Sequence, residues 1–167
     1  MVFRILDSTS FYAGIPFSSQ DVSYTTPLVF EEIKHIKKDQ GAIDVLIESD
    51  RLKIIEPEKK FVDITLGKAE ETGDYQSLSK EDVSVIALCL QTGGELVTDD
   101  FAVSNVAKHM NLKVLPVMTK GADKIKWIYF CAGCRTSFSK DSICPMCGNK
   151  LVRKSSKSKS SSDPVGQ

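Results

Sequence analysis

Short apolar runs alternate with longer amphipathic stretches over the first 117 residues of the chain. The short runs predict buried strands at residues 1–6, 52–55, 95–98 and 113–117. Apolar positions three and four apart predict helices at residues 27–38, 58–71, 79–92 and 99–110. Residues 41–50 are ambiguous, with a helical turn as one interpretation. Strands that alternate with helices predict an α/β fold in three layers, with a parallel sheet covered by helices on both sides.

Two of the predicted helices begin with capping signals. Thr26 precedes Pro27, which suits the first helical position, and the threonine hydroxyl can accept a free backbone N–H. Ser79 and Asp82, three residues apart, form a variant of the capping box. The helix that follows is apolar nearly all round over residues 83–90, so we expect it to be buried.

The composition is that of a folded globular protein, with 41% hydrophobic and 26% charged residues. No apolar run approaches the roughly 20 residues that span a bilayer. The apolar stretch at the N-terminus is too short for a secretory signal. We therefore expect a soluble, cytoplasmic protein.

Charge is distributed unevenly although the net charge is zero. Residues 1–119 hold 12 Lys/Arg against 19 Asp/Glu, whereas residues 120–167 hold 10 against 3. A basic half can indicate an anionic partner, although basic tails are often only solvated. Four regions are predicted: a main domain, a basic linker, a small cysteine-rich domain and a disordered Ser/Lys-rich tail, at residues 1–117, 118–126, 127–153 and 154–167.

Four of the five cysteines lie in two CxxC pairs, at Cys131, Cys134, Cys144 and Cys147. Each CxxC pair forms a turn that presents two thiolates on one side, and two such turns complete a tetrahedron around zinc. Four thiolates leave no open coordination position, so the predicted zinc ion is structural. Glycines at 133 and 148 are expected to give these turns a permissive backbone. Cys89 stands apart in an apolar run and is interpreted as a small buried side chain.

Basic residues surround the predicted zinc ribbon. Their charge suits RNA phosphates, although zinc ribbons also bind proteins. Trp127 or Tyr129 could also stack on a base. The candidate RNA-binding residues are Arg135, Lys140, Lys150 and Arg153, with Lys154 beside them.

Acidic residues follow two of the predicted strands directly: Asp7 and the pair Asp99 and Asp100. Parallel strands end at a common edge of the sheet, which is where ligands bind. Glu32 falls inside the apolar arc of its helix at 100° per residue, whereas Glu31 falls outside it. A carboxylate that faces the core needs a partner, so Glu32 is the stronger candidate.

Each acid also has a simpler interpretation. Asp82 can serve only as a helix cap, and an aspartate after a strand is a common turn residue. Gathered at one sheet edge, the acids would repel one another unless cations neutralised them. Carboxylate ligands select Mg²⁺ or Mn²⁺, and the natural chemistry is metal-assisted hydrolysis of a phosphate ester. A Gly-rich phosphate loop with its lysine is missing from the sequence, which disfavours nucleoside-triphosphate hydrolysis.

The chain resembles PIN-domain nucleases, and more narrowly the Nin-one-binding family of ribosome-maturation endonucleases. The resemblance covers roughly residues 2–154, and residues 41–55 align poorly. Its compact length is closer to archaeal members of the family. The segments that carry it are ILDSTSF, TTPLVFEEI, TGDYQSLSKEDVSVIALC, ELVTDDFAVSNVAKHM and the paired CxxC ribbon.

The resemblance implies a PIN-like α/β/α domain followed by a zinc ribbon. It makes Asp7, Glu32 and Asp82 ligands of catalytic Mg²⁺ or Mn²⁺, with Asp100 as the fourth acid and Asp99 assisting. It also implies single-strand endonuclease cleavage at the 3′ end of the precursor to small-subunit ribosomal RNA, within an immature small ribosomal subunit. PIN domains often pair, so a homodimer is a further expectation, although the sequence marks no dimer surface.

Three other functions stay open at this point. The PIN fold could act as a non-catalytic RNA-binding assembly factor, with acids that hold no metal. A toxin-type PIN ribonuclease would act on mature RNA, but such chains seldom carry a zinc ribbon. A transcription-type zinc-ribbon protein with a dimerisation domain would leave Glu32 unexplained.

Overall fold

The computed structural model describes residues 2–35, 40–118, 126–139 and 142–156. The chain forms two compact units, Met1–Lys124 and Ile125–Gln167, and each has its own hydrophobic cluster. Most of the predicted linker and tail, residues 119–125 and 157–167, lies outside the described residues. Within the described ranges, no helix combines the length and the apolar character needed to cross a membrane.

The N-terminal unit is built on a five-stranded sheet in which every neighbouring pair of strands is parallel. The strands are β1 (Arg4–Leu6), β2 (Ser23–Thr25), β3 (Leu52–Ile54), β4 (Glu95–Val97) and β5 (Lys113–Leu115), in the order β3-β2-β1-β4-β5. Ile5, Leu6 and Leu96 are fully buried because these strands lie at the centre of the unit. The predicted parallel sheet is confirmed.

Helices flank this sheet on the path between the strands. They are α1 (Ser8–Tyr12), α2 (Ile15–Ser18), α3 (Pro27–Ile33), α4 (Gln40–Glu48), α5 (Lys59–Thr72), α6 (Lys80–Thr92) and α7 (Phe101–His109), with a 3₁₀ turn at Tyr75–Ser77 between α5 and α6. Residues 83–89 of α6 are buried, as the apolar pattern predicts. The PIN-like α/β/α architecture is therefore present.

The predicted caps of α3 and α6 are both formed. Thr26 Oγ1 accepts a hydrogen bond from the backbone N–H of Val29 at 3.3 Å. Ser79 Oγ accepts from the N–H of Asp82 at 3.1 Å, and Asp82 Oδ2 accepts from the N–H of Ser79 at 2.9 Å. This capping box fixes the first turn of α6 and with it the position of the Asp82 carboxylate.

Strand β2 and helices α1 and α2 were not predicted from the sequence. Residues of β2 are polar or amphipathic, yet all three are buried. Thr25 Oγ1 donates to the carbonyl oxygen of Leu6 at 2.9 Å, and the Tyr24 ring lies 4.8 Å from the Phe3 ring. These partners compensate the burial of polar groups, and they are distant in sequence, so no local pattern reveals them. The ambiguous stretch at residues 41–50 is mostly helix α4.

The C-terminal unit contains a three-stranded antiparallel sheet. Its strands are β6 (Lys126–Phe130), β7 (Ser137–Phe138) and β8 (Val152–Ser156), in the order β7-β6-β8. Strand β6 leads into the first CxxC turn, as expected. Strand β8 includes residues 154–156, which the sequence assigned to the tail, because they pair with residues 126–128 of β6.

Candidate active site and metal sites

Asp7 follows β1 and caps α1 with its side chain. The carboxylate is 3% exposed. Its Oδ1 accepts from Thr9 Oγ1 at 2.7 Å and from the N–H of Ser10 at 3.0 Å. Its Oδ2 accepts from Thr98 Oγ1. These donors satisfy a buried charge and hold the carboxylate in one orientation.

Asp100 follows β4, and hydrogen bonds through Thr98 connect it to Asp7. The backbone N–H of Asp100 donates to Thr98 Oγ1 at 3.0 Å, and the same hydroxyl donates to Asp7. Asp100 Oδ1 also accepts from the N–H of Val103 at 3.0 Å and caps α7. Thr98 therefore couples the ends of β1 and β4. This role of Thr98 was not predicted, although its position between a buried strand and two aspartates is a signal that the sequence contains.

The prediction that Glu32 faces the core is wrong, because its side chain is exposed. Helix α3 has only seven residues, and Val29 and Ile33 make its core contacts. The side of α3 that carries Glu32 borders the surface, and Leu28 on the same side is 42% exposed. Glu32 nevertheless accepts a side-chain hydrogen bond from Ser8, next to Asp7. The position of Glu32 on its helix therefore brings it near Asp7, but its side chain is exposed and not buried as the apolar arc predicted.

Repulsion among the acids shows that they share one neighbourhood. Partial burial raises the pKa of Glu32 above its ordinary value, and the charges of Glu81, Asp82 and Asp7 raise it further. Burial likewise raises the pKa of Asp82, followed by the charges of Asp100 and Asp7. Glu81 also belongs to this cluster, although it was not predicted from the sequence.

The charge of the cluster is not balanced by the described part of the protein. Within that part, no lysine or arginine forms an ion pair with Asp7, Glu32, Asp82 or Asp100. Among the described residues, the four CxxC cysteines form the only group of three or more side chains close enough to hold a metal ion as they stand, so the acids form an open cluster rather than a closed cage. Oxygen donors with unbalanced negative charge suit a hard divalent cation that keeps some of its water ligands.

Asp99 points to a different part of the unit. Its Oδ1 accepts from the N–H of Val117 and its Oδ2 from the N–H of Met118, both at 2.8 Å. Both carboxylate oxygens therefore hold the chain that follows β5. This arrangement assigns Asp99 to the support of the sheet edge.

The four CxxC cysteines come together as predicted. Their sulfur atoms all lie within 4.8 Å of one another, with Cys131 and Cys144 buried and Cys134 and Cys147 exposed. The backbone N–H of Cys134 donates to Cys131 Sγ at 3.4 Å, as in a metal-binding turn. A four-sulfur cluster of this size can hold a metal ion.

Ionisation of these thiols also favours a cation. The hydrogen bond from the Cys134 N–H lowers the pKa of Cys131 to about 7. Contact with Cys147 and burial raise the pKa of Cys134 to about 12. Four neighbouring thiols cannot all ionise against one another's charge, and a bound metal cation removes that conflict.

The left-handed turn positions differ in part from the prediction. Gly148 has φ +74° as expected, but Gly133 does not adopt a positive φ. Arg135, the residue after the second cysteine of the first pair, has φ 60° instead. At Gly133 an added Cβ would lie 2.5 Å from Nδ2 of Asn149, so the Asn149 side chain would have to move. The two turns thus use equivalent positions, Arg135 and Gly148, for the left-handed residue.

The candidate RNA-binding residues are spread around this unit. Arg135, Lys150 and Arg153 are exposed, and Lys140 lies outside the described residues. The Arg153 guanidinium lies 4.1 Å from the centre of the Trp127 ring, and Lys154 Nζ lies 5.1 Å from that of Phe130. Tyr129 is 6% exposed and therefore cannot stack on a base.

Cys89 is fully buried, as its apolar surroundings predict. Its Sγ contacts the carbonyl oxygen of Gly94 at 3.2 Å. Burial, with a smaller contribution from the charge of Glu95, raises the pKa of the thiol to about 12. A thiol that stays protonated is not a nucleophile.

Comparison with known proteins agrees with this geometry. Residues 5–92 match the family described as PIN domain of ribonuclease. The chain is 34% identical to the endoribonuclease Nob1 of Pyrococcus abyssi over 88% of this chain and 90% of that protein. It is 32% identical to the endoribonuclease Nob1 of Methanocaldococcus jannaschii over 95% of this chain and 81% of that protein.

A relative with a different name matches a smaller share of the chain. The chain is 38% identical to ribonuclease VapC1 of Thermoplasma acidophilum over 71% of this chain and 61% of that protein. The two Nob1 matches extend over more of this chain than the VapC1 match does. The chain therefore belongs to the PIN-domain ribonucleases and, within them, to the Nob1 endoribonuclease family.

Proposed function

We propose that the protein is a metal-dependent, single-strand endoribonuclease that matures the 3′ end of the precursor to small-subunit ribosomal RNA. It acts in the cytoplasm on an immature small ribosomal subunit. The observation that carries this proposal is the open cluster of Asp7, Glu32, Asp82 and Asp100, with its unbalanced charge, in a chain of the Nob1 family. Pairing of two copies of the chain stays a prediction.

The four acids would hold one or two Mg²⁺ or Mn²⁺ ions. Bound there, the ions would supply an activated water and offset negative charge on the phosphate. Asp7 is already oriented by Thr9, Ser10 and Thr98, so it needs little reorganisation to bind a cation. Glu32 is exposed and held by fewer contacts, which leaves it free to adjust to the ion and to the RNA.

The carboxylates of Asp82 and Asp100 repel the phosphates of the RNA until a cation is bound. Asp82 and Asp100 are fixed by helix caps on α6 and α7, so their charges cannot move away from the phosphate. RNA affinity and cleavage should therefore both depend on the divalent ion. Water attacks the phosphorus in line, and the 3′ oxygen of the preceding nucleotide leaves with its electron pair.

The cysteine cluster would hold one structural zinc ion. The unit around it has a small buried core, Tyr129, Leu151 and two of the cysteines, with Phe138 packed against it. Metal binding would therefore supply much of its folding energy. Arg135, Lys150 and Arg153 would contact RNA phosphates, which matches the basic charge of this half of the chain.

Cleavage of a single-stranded RNA that spans the 3′ end of small-subunit ribosomal RNA tests the proposal. Wild-type protein is expected to cut it with Mn²⁺ and to stop when the ion is withheld. Asp82→Asn should lower the rate by at least about 100-fold, a loss of the order seen when a group that stabilises the transition state is removed. Asp63→Asn, which changes an exposed acid on α5 outside the cluster, is the matched control.

Either of two results would reject the enzymatic role. Equal rates for wild type and Asp82→Asn would mean that any cutting comes from a contaminant. RNA binding without metal-dependent cutting would favour the alternative of a non-catalytic, RNA-binding assembly factor of the small ribosomal subunit. Loss of activity in Asp63→Asn as well would show that charge alone, rather than the cluster, is responsible.

A further inference from the structure

An apolar groove of about 420 Å³ opens on the N-terminal unit beside the acidic cluster. It lies between the start of α3, the segment after β3, helix α5 and the start of α6. Its volume is in the range of pockets that take small organic ligands. The apolar side chains that line it include Leu28, Pro57, Leu66, Tyr75, Leu78 and Val83.

The groove is on the same sheet edge as the acids. Thr26 follows the last residue of β2, and Glu56 and Pro57 come just after β3, and all three line the groove. The acids Asp7 and Asp100 follow β1 and β4. Since the strand order is β3-β2-β1-β4, the groove continues the row of strand ends on which the acids lie.

The groove wall also contacts the acidic cluster directly. Ser79 lines the groove and exchanges hydrogen bonds of 2.9 and 3.1 Å with Asp82. Thr26 and Ser84, which line it as well, share a hydrogen bond of 2.6 Å that joins α3 to α6. A ligand in the groove would therefore sit next to Asp82, one of the acids that would hold the catalytic ion.

The lining suits a nucleobase with its phosphate. Tyr75 is 48% exposed and offers an aromatic face, and Leu28 is 42% exposed on the α3 side. Lys80 forms no ion pair with any described residue, whereas the acidic lining residue Glu56 would repel a phosphate. A base would occupy the apolar part, and its phosphate would lie towards Lys80.

We propose that this groove is a nucleotide subsite, in which a base of the substrate RNA near the scissile phosphate stacks on Tyr75 and its phosphate contacts Lys80. The proposal rests on the proposed function for the identity of the ligand, since a single RNA strand is what the acidic cluster would cut. The groove makes Tyr75 and Lys80 substrate-positioning residues. A bound base would also fix where along the strand the phosphate meets the acids.

Binding of a fluorescent single-stranded RNA, followed by anisotropy, tests the subsite. The RNA spans the 3′ end of small-subunit ribosomal RNA. Ca²⁺ replaces Mg²⁺ or Mn²⁺, so that a hard cation offsets the charge of the acids while the ions that would support cleavage are left out. Tyr75→Ala should weaken binding by about 5- to 150-fold, the effect of losing one stacked base. Lys80→Gln should lower the slope of log K against log salt by about 0.7, the effect of losing one phosphate contact on a single strand.

Removal of the base from the RNA gives the decisive comparison. Each nucleotide near the cleavage position is replaced in turn by an abasic ribose, and wild type is compared with Tyr75→Ala. At one position the abasic change should weaken binding to the wild type and leave binding to the variant unchanged, because both changes remove the same contact. Tyr75→Phe should keep wild-type behaviour.

Ile64→Ala is the matched control for the groove. Ile64 is 53% exposed on α5, the helix that also contributes Leu66, but it does not line the groove. It should bind RNA like the wild type, whereas Leu28→Ala should weaken binding in the same direction as Tyr75→Ala. Circular dichroism should show all variants folded, since these side chains are largely exposed.

Equal RNA affinity of Tyr75→Ala and wild type would overturn the proposal and would point to a protein or a second copy of the chain in the groove. The proposal would also be overturned if, at every abasic position, the binding free energy lost through the abasic change were the same in the wild type and in Tyr75→Ala. The nuclease and the subsite can be rejected separately. If the abasic change and Tyr75→Ala are coupled in binding but no metal-dependent cutting occurs, the nuclease is rejected and the subsite is kept. Cutting that is normal in Tyr75→Ala at every RNA sequence would reject the subsite and keep the nuclease.

Discussion

Gly94→Ala should destabilise the protein because two backbones meet at this glycine. Gly94 precedes β4, and the adjacent N–H of Glu95 donates to the carbonyl oxygen of Phe3 at 2.7 Å, where β1 begins. A Cβ added at Gly94 would lie 2.3 Å from that oxygen and 2.9 Å from Cβ of Phe3. Both strands lead to acids of the cluster, so a shift here would displace Asp7 and Asp100.

The size of the effect follows from these distances. Comfortable carbon–oxygen contacts are about 3.3–3.6 Å, so the strands must separate by about 1 Å. That shift stretches the hydrogen bond from Glu95 beyond its useful length and costs about 1 kcal/mol. Overpacking of two backbones costs about 1–3 kcal/mol more. We therefore expect the free energy of unfolding to fall by about 2–4 kcal/mol.

Urea denaturation followed by far-ultraviolet circular dichroism measures this loss. With a slope of about 2 kcal/mol per M, the middle of the usual range for small proteins, the midpoint should fall by about 1–2 M. Gly67→Ala is the matched control, since a Cβ there meets nothing within 4 Å on helix α5. It should raise the free energy of unfolding by about 0.5–1 kcal/mol, because alanine loses less backbone entropy in a helix.

The two glycine variants should change the free energy of unfolding in opposite directions. If Gly94→Ala kept the wild-type midpoint, the close approach of β1 and β4 would not exist in solution. If both glycine variants lost the same stability, a general intolerance of alanine would explain the result. The RNA-cleavage rate of Gly94→Ala should fall even under conditions where the variant is fully folded.

Three further predictions follow from the site residues. Because burial and the charges of neighbouring acids raise the pKa of Glu32 in the fold, its charged form destabilises the metal-free protein at neutral pH. Glu32→Gln should therefore raise the metal-free urea midpoint at neutral pH and lose that advantage as pH falls to the ordinary glutamate range. It should also gain less stability from Mn²⁺ than Glu31→Gln, which changes an exposed acid paired with a lysine. Cys134→Ser or a zinc chelator should change the fluorescence of the single tryptophan, which is in the C-terminal unit, and leave the helical circular dichroism signal in place. Asn105→Ala should cost about 1.5–3 kcal/mol in urea unfolding, because it removes a 2.7 Å donor from the fully buried Asp74 carboxylate. A loss well below 0.5 kcal/mol would mean that this hydrogen bond does not hold the carboxylate in solution.

The features that the sequence predicted correctly depend on residues close together in the chain. The Thr26 cap and the Ser79–Asp82 capping box involve hydrogen bonds across three residues, so the local pattern contains all the information. The CxxC pairs are equally local, and their spacing was enough to bring four sulfur atoms together. The strand ends placed Asp7 and Asp100 at one edge because parallel strands share a direction.

The features that were missed depend on partners far away in the chain. Strand β2 is buried because Thr25 bonds to Leu6, a contact across 19 residues. Thr98 acts on Asp7 across 91 residues. The exposure of Glu32 depends on how a seven-residue helix lies against its neighbours, which a helical wheel does not contain. The left-handed conformation of Arg135 is set by the cysteine turn rather than by the preference of arginine.

The chemical ends of the RNA products test the central claim most directly. Wild-type protein is incubated with Mn²⁺ and the single-stranded RNA that spans the 3′ end of small-subunit ribosomal RNA, and the fragments are analysed by mass spectrometry. Attack by water with departure of the 3′ oxygen predicts one discrete cut that leaves a 3′-hydroxyl and a 5′-phosphate, and this product should vanish with Glu32→Gln. Fragments that end in a 2′,3′-cyclic phosphate, or a product that persists in Glu32→Gln, would contradict metal-assisted hydrolysis at this cluster.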